Sequence, residues 1–386
     1  MTPAARIASA IEILDGYLSG QPAEKLLTTW ARQNRYAGSK DRAAVRDLVF
    51  EALRNLRSFA ALGGAMTGRG LAIGALRAQE QNPDAFFTGE GYAPTPLTEE
   101  ERAKTRTPEG AEALDCPDWL EAQFRESLGA DFEAVMTLLK SRAPVFLRVN
   151  LRLATLQEAQ DALATEDIET KPHPLSSTAL EVTRNPRRVQ NSEAYKNGLV
   201  ELQDAASQFV ADQVPISEGS RVLDYCAGGG GKSLAMAARV DAHFTAHDVS
   251  MARMKDIPAR ADRSRVEIEV IETSDLKHDQ PYDVVLCDAP CSGSGSWRRA
   301  PEGKWALTQG KLDELNAIQS SILNDSKEYV GESGVLAYAT CSMLSCENRG
   351  VVEAFLAQNE AWSLKEEHVL TPLQGGDGFY LAILTH

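Results

Sequence analysis

Residues 221–240 read RVLDYCAGGGGKSLAMAARV: a strand-like apolar run, a cluster of glycines and a helix-like run in succession. Such an order predicts a strand, a tight loop and a helix. AHFTAHD at 242–248 then predicts a second strand, and further apolar strands alternate with helical patterns toward the C-terminus. Alternating apolar strands and helices are typical of a parallel, doubly wound α/β sheet.

The glycine cluster can be compared with three kinds of nucleotide-binding loop, which it matches to different degrees. A P-loop requires a glycine five positions before its Gly-Lys-Ser, and Cys226 stands there, so this spacing fails. A dinucleotide fingerprint starting at Gly228 fits weakly, because Ser233 takes its third small position. In a methyltransferase loop, glycines let the backbone approach S-adenosylmethionine, and Asp248 after the second strand could take the ribose hydroxyls. Asp275 could then address the adenine edge, although a simple packing turn stays open as an alternative.

Two later strands each end in a short loop that carries a cysteine. DVVLCDAPC ends at Cys291, three positions after Asp288, and GVLAYATC ends at Cys341. Open α/β sheets bind their ligands at the carboxyl ends of strands. A single buried cysteine is usually inert core, but two at strand ends beside a carboxylate favour a chemical role.

The preceding part of the chain has a different character. Helical spacing of apolar residues recurs from 4 to 66, and residues 80–112 are rich in Pro, Gly, Thr and Glu. A strand–helix–strand pattern begins at Pro144 and predicts a small α+β module. We therefore divide the chain into a helical domain at 1–80, a linker or loop at 81–112, an α+β module at 113–200 and an α/β domain at 201–386.

Composition narrows the possible partners. The net charge of −15 mildly opposes binding to nucleic acid, but basic residues cluster at 32–46, 184–188 and 298–304. None of the six cysteines forms a C-x-x-C pair, so no metal is expected. The chain contains neither a long uninterrupted apolar segment nor a signal-peptide pattern, which predicts a cytoplasmic protein without a membrane partner.

The chain resembles the bacterial Sun (Fmu) family of ribosomal RNA cytosine-5 methyltransferases. Four ordered segments carry this resemblance: YKNGLVELQDAASQFVA, VLDYCAGGGGKS, DAPCSGSGSWRRAP and YATCSMLSCEN. KDRAAVRDLVFEALRNL at 40–56 resembles the NusB-type RNA-binding domain of some members, and CPDWLEAQF with PVFLRVN resembles their intervening segment. The resemblance implies a Rossmann-like class I methyltransferase sheet, preceded by an all-α NusB-like domain and a small α+β module.

The resemblance also implies a reaction. S-adenosylmethionine would be the cofactor and RNA, in particular ribosomal RNA, the substrate. Cys341 would add to carbon 6 of cytosine as a thiolate, so that carbon 5 can be methylated. Asp288, oriented by Lys232, would bind the ring's nitrogen edge, and Cys291 would assist product release. The residues expected to hold the cofactor are Cys226, Ala227, Gly228, Gly229, Gly230, Gly231, Lys232, Asp248, Asp275 and Asp288.

Two motifs depart from the family pattern. Gly229-Gly230-Gly231-Lys232 stands where the family has Pro-Gly-Gly-Lys, and Ser345-Cys346-Glu347-Asn348 stands for Pro-Glu-Glu-Asn. Two other functions stay open: a transferase acting on DNA cytosine or on an exocyclic amine, and a non-catalytic RNA-binding or ribosome-assembly factor. An amine acceptor needs no covalent cysteine, and an intact glycine loop with both cysteines disfavours the non-catalytic factor.

Overall fold

The computed structural model describes all 386 residues. The chain forms two compact units. Unit 1 comprises Met1–Arg142 and Trp297–Ala306, and unit 2 comprises Ala143–Ser296 and Leu307–His386.

Unit 1 is all-helical. On its third helix Val45, Val49 and Leu53 recur every four residues and are completely buried, which is the apolar stripe of a helix packed on a core. Short 3-10 turns occur at Pro83–Ala85 and Gly129–Asp131. The α-helices are α1 (Pro3–Leu18), α2 (Ala23–Gln33), α3 (Ser39–Arg54), α4 (Leu56–Gly63), α5 (Gly68–Ala78), α6 (Glu99–Ala103), α7 (Gly110–Ala113), α8 (Asp118–Leu128) and α9 (Phe132–Leu139), together with a short helix at Glu302–Ala306.

The predicted linker at 81–112 is part of unit 1. It contains α6 and α7, and Phe87 and Leu97 from this segment are buried. Glu101 of α6 forms an ion pair of 2.6 Å with Arg69 of α5. The compact unit therefore continues to Arg142 and does not end at 80, while the domain boundaries given above stay predictions.

Unit 2 begins with the predicted α+β module. Its strands are β1 (Val145–Val149), β2 (Thr170–Pro172), β3 (Ala179–Val182) and β4 (Val200–Leu202), and its helices are α10 (Leu156–Thr165) and α11 (Glu193–Lys196). The sheet is antiparallel in the order β2-β3-β1-β4. Thr155 and Glu158 form a capping box that begins α10. The strand–helix–strand prediction for this region is confirmed.

The rest of unit 2 is built on a seven-stranded sheet. Its strands are β5 (Arg221–Asp224), β6 (His243–His247), β7 (Glu269–Ile271), β8 (Tyr282–Asp288), β9 (Val330–Thr340), β10 (Ser363–Leu370) and β11 (Phe379–Thr385). The helices are α12 (Ala205–Gln213), α13 (Gly231–Arg239), α14 (Met251–Met254), α15 (Ile257–Ser264), α17 (Gln309–Ser326) and α18 (Arg349–Gln358). The Glu302–Ala306 helix of unit 1 comes between α15 and α17 in the chain and is numbered α16. The strand order is β10-β11-β9-β8-β5-β6-β7.

The sheet is parallel from β9 through β7, as predicted, but β11 is antiparallel to both β9 and β10. A parallel connection needs a crossover of a dozen or more residues. Only residues 371–378 join β10 to β11, so this pair forms a hairpin. These two strands were not among the strands predicted from the sequence.

Both faces of the sheet are covered. Val222 and Leu286 belong to one core, and Leu223 and Val285 belong to the other, because successive side chains of a strand point to opposite faces. The first core includes residues of α12 and α13, and the second includes residues of α17 and α18. Covered faces explain why the parallel strands read as continuous apolar runs.

No single helix has both the length and the apolar composition needed to cross a membrane. The bent pair of α4 and α5 meets these two criteria only when both helices are counted together.

Candidate active site

The predicted site residues follow neighbouring parallel strands. Strands β6, β5, β8 and β9 lie side by side and run in the same direction. Their carboxyl ends therefore share one edge of the sheet, where ligands of open α/β folds bind. The glycine loop follows β5, Asp248 follows β6, the Cys291 loop follows β8, and the Cys341 loop follows β9.

The glycine loop is shaped by its backbone. Gly228 and Gly230 have φ values of 52° and 77°, in the left-handed region that other residues rarely adopt. A Cβ on Gly230 would lie 2.8 Å from Cγ1 of Ile257. The N–H of Ala227 donates to the His247 carbonyl, and the N–H of Gly230 donates to Ala227, both at 2.8 Å. The loop is thus closed against β6 by backbone hydrogen bonds.

Asp248 is a buried carboxylate that faces this loop. The N–H of Gly228 donates to its Oδ2 and the N–H of Ser250 to its Oδ1, both at 3.0 Å. Arg253 forms an ion pair of 2.9 Å with Oδ2. The side chain is therefore held at the position expected for a ribose-binding acid, next to the glycine loop.

Asp224, the last residue of β5, was not predicted as a site residue. Its Oδ2 accepts a hydrogen bond of 2.6 Å from the Ser233 hydroxyl, whereas its Oδ1 is buried and has no hydrogen-bond partner. Burial raises the pKa of Asp224 to about 7. Buried polar atoms in native proteins are nearly always paired, so an orphaned acceptor beside the glycine loop fits a ligand that brings a donor.

Lys232 and Asp288 form the contact that the resemblance implies. Lys232 lies in the first turn of α13, and its Nζ lies 2.6 Å from Oδ2 of Asp288. The lysine side chain is 6% exposed and its ammonium lies 4.7 Å from the centre of the Phe379 ring. The pair joins the part of the strand edge that carries the glycine loop to the part that carries Cys291 and Cys341.

The two cysteines meet. The Sγ atoms of Cys291 and Cys341 are 3.4 Å apart, although fifty positions separate them in the chain. The N–H of Gly295 donates to the Cys341 carbonyl at 2.9 Å, which pairs the two loops. The pKa of Cys291 is raised well above its usual range by the hydrogen bond with Cys341, by burial, and by electrostatic interaction with Cys341 and Glu347.

Glu347 joins the two cysteine loops. Its side chain is completely buried. The backbone N–H of Ser292 donates to its Oε1 at 2.7 Å, and the hydroxyls of Ser292 and Ser342 both donate to its Oε2. The Gln319 amide also donates to Oε1, at 3.1 Å. From the sequence, Glu347 was identified only as a residue that this chain shares with the family motif. The serine that follows each cysteine could have indicated a shared hydrogen-bond acceptor.

Three further residues were predicted to hold the cofactor: Cys226, Gly229 and Asp275. Cys226 has a pKa raised well above its usual range, chiefly by burial, so it does not provide a ready thiolate. The Gly229 carbonyl accepts a hydrogen bond from Arg260. Asp275 is exposed in the 3-10 turn Thr273–Asp275. The adenine role of Asp275 stays a prediction.

Three supporting residues, Arg148, Gln203 and His247, were not predicted as site residues although they lie in segments quoted above. The Gly231 carbonyl accepts hydrogen bonds from Arg148 at 3.0 Å and from Gln203 at 3.1 Å. His247 bridges the Tyr225 carbonyl, at 2.8 Å, and the Thr273 hydroxyl, at 2.9 Å. A carbonyl only accepts, so Nδ1 of His247 carries the proton in that hydrogen bond. No group of three or more His, Cys, Asp or Glu side chains is arranged to hold a metal ion.

Comparison with known proteins gives two family matches. Residues 213–384 match the family described as 16S rRNA methyltransferase RsmB/F. Residues 116–190 match the ferredoxin-like domain of RsmF/B-like methyltransferases. The ribosomal RNA small subunit methyltransferase B of Yersinia pestis bv. Antiqua is 31% identical over 281 residues, which is 69% of this chain and 65% of that protein. The chain thus spans 65% of the length of the curated relatives it matches.

Solved structures share the fold. PH0851 aligns with 100% of the chain and 99% of its own length, with a TM-score of 0.76 and 20% identity. A methyltransferase homologue from Pyrococcus horikoshii aligns with 71% of the chain and 97% of its own length, with a TM-score of 0.62 and 22% identity. The predicted fold class, an α/β domain preceded by a helical region, is confirmed.

Proposed function

Because the chain belongs to the RsmB/F, or Sun (Fmu), family of 16S rRNA methyltransferases, we propose that it methylates carbon 5 of a cytosine in ribosomal RNA. The methyl donor is S-adenosylmethionine. One observation carries the proposal: the sulfurs of Cys291 and Cys341 lie 3.4 Å apart at the strand edge that also holds Asp288 and Lys232. A methyltransferase acting on an amine needs no covalent cysteine.

The residues at the glycine loop fit this cofactor. The orphaned Oδ1 of Asp224 suits a cationic donor such as the amino group of its methionine part, and Asp248 suits the ribose hydroxyls. Left-handed glycines leave the loop without side chains where an adenosyl group must come close. When bound, S-adenosylmethionine supplies an electrophilic methyl group on a sulfonium.

The cysteines would act on the base in two stages. First, the Cys341 thiolate forms a bond to carbon 6, and the electron pair of the 5,6 double bond moves toward carbon 5. Asp288, held by Lys232, binds the nitrogen edge of the ring and stabilises the adduct. Second, after the electron pair at carbon 5 has formed its bond to the methyl group, carbon 5 loses its proton, the double bond re-forms and the Cys341 sulfur leaves as a thiolate. Cys291 adjoins that sulfur and assists this release.

The base must leave its stack to be reached. The thiolate reaches carbon 6, and carbon 5 reaches the methyl group, across the faces of the ring, which stacked neighbours cover in a helix. The substrate is therefore a single-stranded or extruded cytosine. Arg299 follows the Cys291 loop in the chain and is exposed, and we expect exposed basic residues near the substrate strand. Arg298 is buried and donates to the Arg142 carbonyl, so it is not available for such a contact.

The test is transfer of labelled methyl from S-adenosylmethionine to unmodified small-subunit ribosomal RNA, followed by nucleoside analysis. We expect the label in 5-methylcytosine. Transfer to another nucleoside would overturn the cytosine assignment. If no label is transferred to free RNA or to 30S particles although the cofactor binds, the proposed reaction is wrong.

A further inference from the structure

The structure assigns a positioning role to Glu347: it clamps the Cys291 loop to the Cys341 loop and so fixes the spacing of the two thiols. The assignment deepens the proposed function and rests on it, since the spacing matters for catalysis only if both sulfurs act on one base. Glu347 follows Cys341 by six positions in the chain and approaches Cys291 only through folding.

Glu347 contacts the residue that directly follows each cysteine. Ser292 follows Cys291 and donates to Glu347 through both its N–H and its hydroxyl. Ser342 follows Cys341 and donates to the same carboxylate. Gln319 of α17 donates to Glu347 and also to the carbonyl of Pro290, at 2.9 Å, just before Cys291. The Cys291 loop is therefore held on both sides of its thiol.

The clamp itself is anchored to β9. The Tyr338 hydroxyl donates to the carbonyl of Glu347 at 2.6 Å. Asn348 accepts from the Thr340 hydroxyl and donates to the carbonyl of Ser342 at 2.9 Å. Tyr338 and Thr340 of β9 thus hold the backbone of Glu347 and the side chain of Asn348 in place, which aims the carboxylate at the Cys291 loop.

A carboxylate suits this task better than other side chains. Two oxygens offer about four acceptor sites, and four donors occupy them here. Charge-assisted hydrogen bonds are stronger than neutral ones, whereas a buried charge is costly when unpaired. Complete pairing of a fully buried carboxylate between two reactive loops is what a geometric clamp requires.

The charge of Glu347 has a second effect. Together with Cys341 and burial, it opposes ionisation of Cys291 and raises the pKa of that thiol. Replacing Glu347 by Gln keeps one acceptor oxygen and lets the serine hydroxyls turn to accept from the amide. We therefore expect Glu347→Gln to keep most of the clamp but to lower the pKa of Cys291.

The test uses the thiol spacing as a readout that needs neither RNA nor cofactor. Diamide takes two electrons and two protons from a pair of thiols as their Sγ–Sγ bond forms. The Cys291–Cys341 disulfide of the full chain is quantified by peptide mass spectrometry, and Cys341→Ser provides the blank. Asp115 supplies the matched control: it is a completely buried carboxylate that accepts from Arg57 and Ser58 in unit 1.

We expect disulfide formation to slow about tenfold in Glu347→Ala and at most about threefold in Glu347→Gln, because misplaced thiols lose their effective concentration. Cys291 in Glu347→Gln should react with iodoacetamide at a lower pH than in wild type. Asp115→Ala should lower the melting temperature but leave the disulfide rate unchanged. In methyl-transfer assays Glu347→Ala should lower kcat, with little change in the KM for RNA.

Equal disulfide rates in wild type and Glu347→Ala would overturn the clamp, as would a wild-type chain whose Cys291 and Cys341 never join. An equal slowing in Asp115→Ala would show general destabilisation and would also overturn it. If the wild-type chain methylates no RNA, the proposed function fails, while the comparison of disulfide rates still decides the role of Glu347.

Discussion

The two halves of the strand edge are built by different means. The cofactor side, after β5 and β6, is shaped by backbone: left-handed glycines and main-chain hydrogen bonds close the loop onto β6. The cysteine side, after β8 and β9, is shaped by side chains that converge on one buried carboxylate. The first design leaves room for a ligand, and the second fixes reactive groups in place.

Two buried acids express the same difference. Asp224 keeps one oxygen without a partner and has a pKa raised to about 7 by burial. Glu347 has every oxygen occupied by donors of the protein itself. An incompletely paired acid is suited to a ligand that arrives from outside, and a completely paired one is suited to structure. Mutations on the two sides should therefore affect different steps.

The largest effect is expected on the cysteine side. Cys341→Ala removes the proposed nucleophile, so methyl transfer should fall by at least about 1,000-fold. Cofactor affinity, measured by calorimetry, should stay within about twofold of wild type, because no strong polar contact to the ligand is lost. A Cys341→Ala variant with substantial turnover would show that the cysteine side does not provide the nucleophile.

A smaller effect is expected where the two sides join. Lys232→Met leaves Asp288 without its 2.6 Å partner, so the oriented charge that stabilises the adduct is lost. Single-turnover methylation at saturating cofactor should slow about 100-fold, which is typical for loss of one preorganised electrostatic group. Lys232→Arg should recover part of the rate. A normal rate in Lys232→Met would show that the Lys232–Asp288 ion pair does not contribute to methyl transfer.

On the cofactor side, Asp248→Asn should change binding and leave chemistry intact. Loss of a charged acceptor costs about 1.5–3 kcal/mol, so the Kd for S-adenosylmethionine should rise at least tenfold while the rate at saturation is retained. Asp275→Asn tests the second predicted cofactor contact, at an exposed carboxylate. An effect of Asp275→Asn as large as that of Asp248→Asn would support its predicted contact with adenine.

The smallest effect concerns the orphaned acid. The pKa of Asp224 is raised from 3.8 to about 7 in the folded protein, so the folded state keeps a proton that the unfolded chain releases above pH 4. Its contribution to stability is complete below pH 4 and is lost as the pH rises through 7. Asp224→Asn cannot ionise, so its free energy of unfolding relative to wild type should rise by about 1 kcal/mol from pH 4 to pH 8, less than full linkage because water can enter. Urea unfolding without cofactor at both pH values provides the check, and a constant difference would contradict the assigned pKa.

The sequence predicted the parts of this edge that depend on local pattern. Strand ends, the glycine loop and both cysteine loops are each contained in one short stretch, and the resemblance added the proximity of Lys232 and Asp288. The carboxylate network was missed because its members come from the segments that follow β8 and β9 and from α17, and have no common spacing. Arg148 and Gln203, which hold the Gly231 carbonyl, were missed for the same reason. Strands β10 and β11 were not predicted, although the FYLAILT run of β11 is as apolar as the predicted strands.

The most direct measurement is the site of covalent attachment in Cys291→Ala. Without Cys291 the second stage should stall, so incubation with S-adenosylmethionine and ribosomal RNA should accumulate a protein–RNA adduct that survives denaturation. After nuclease and protease digestion, mass spectrometry should find a methylated cytidine on Cys341, and Cys341→Ala should give no adduct. A nucleotide attached to any other residue, or full turnover by Cys341→Ala, would contradict the assignment of Cys341 as the nucleophile.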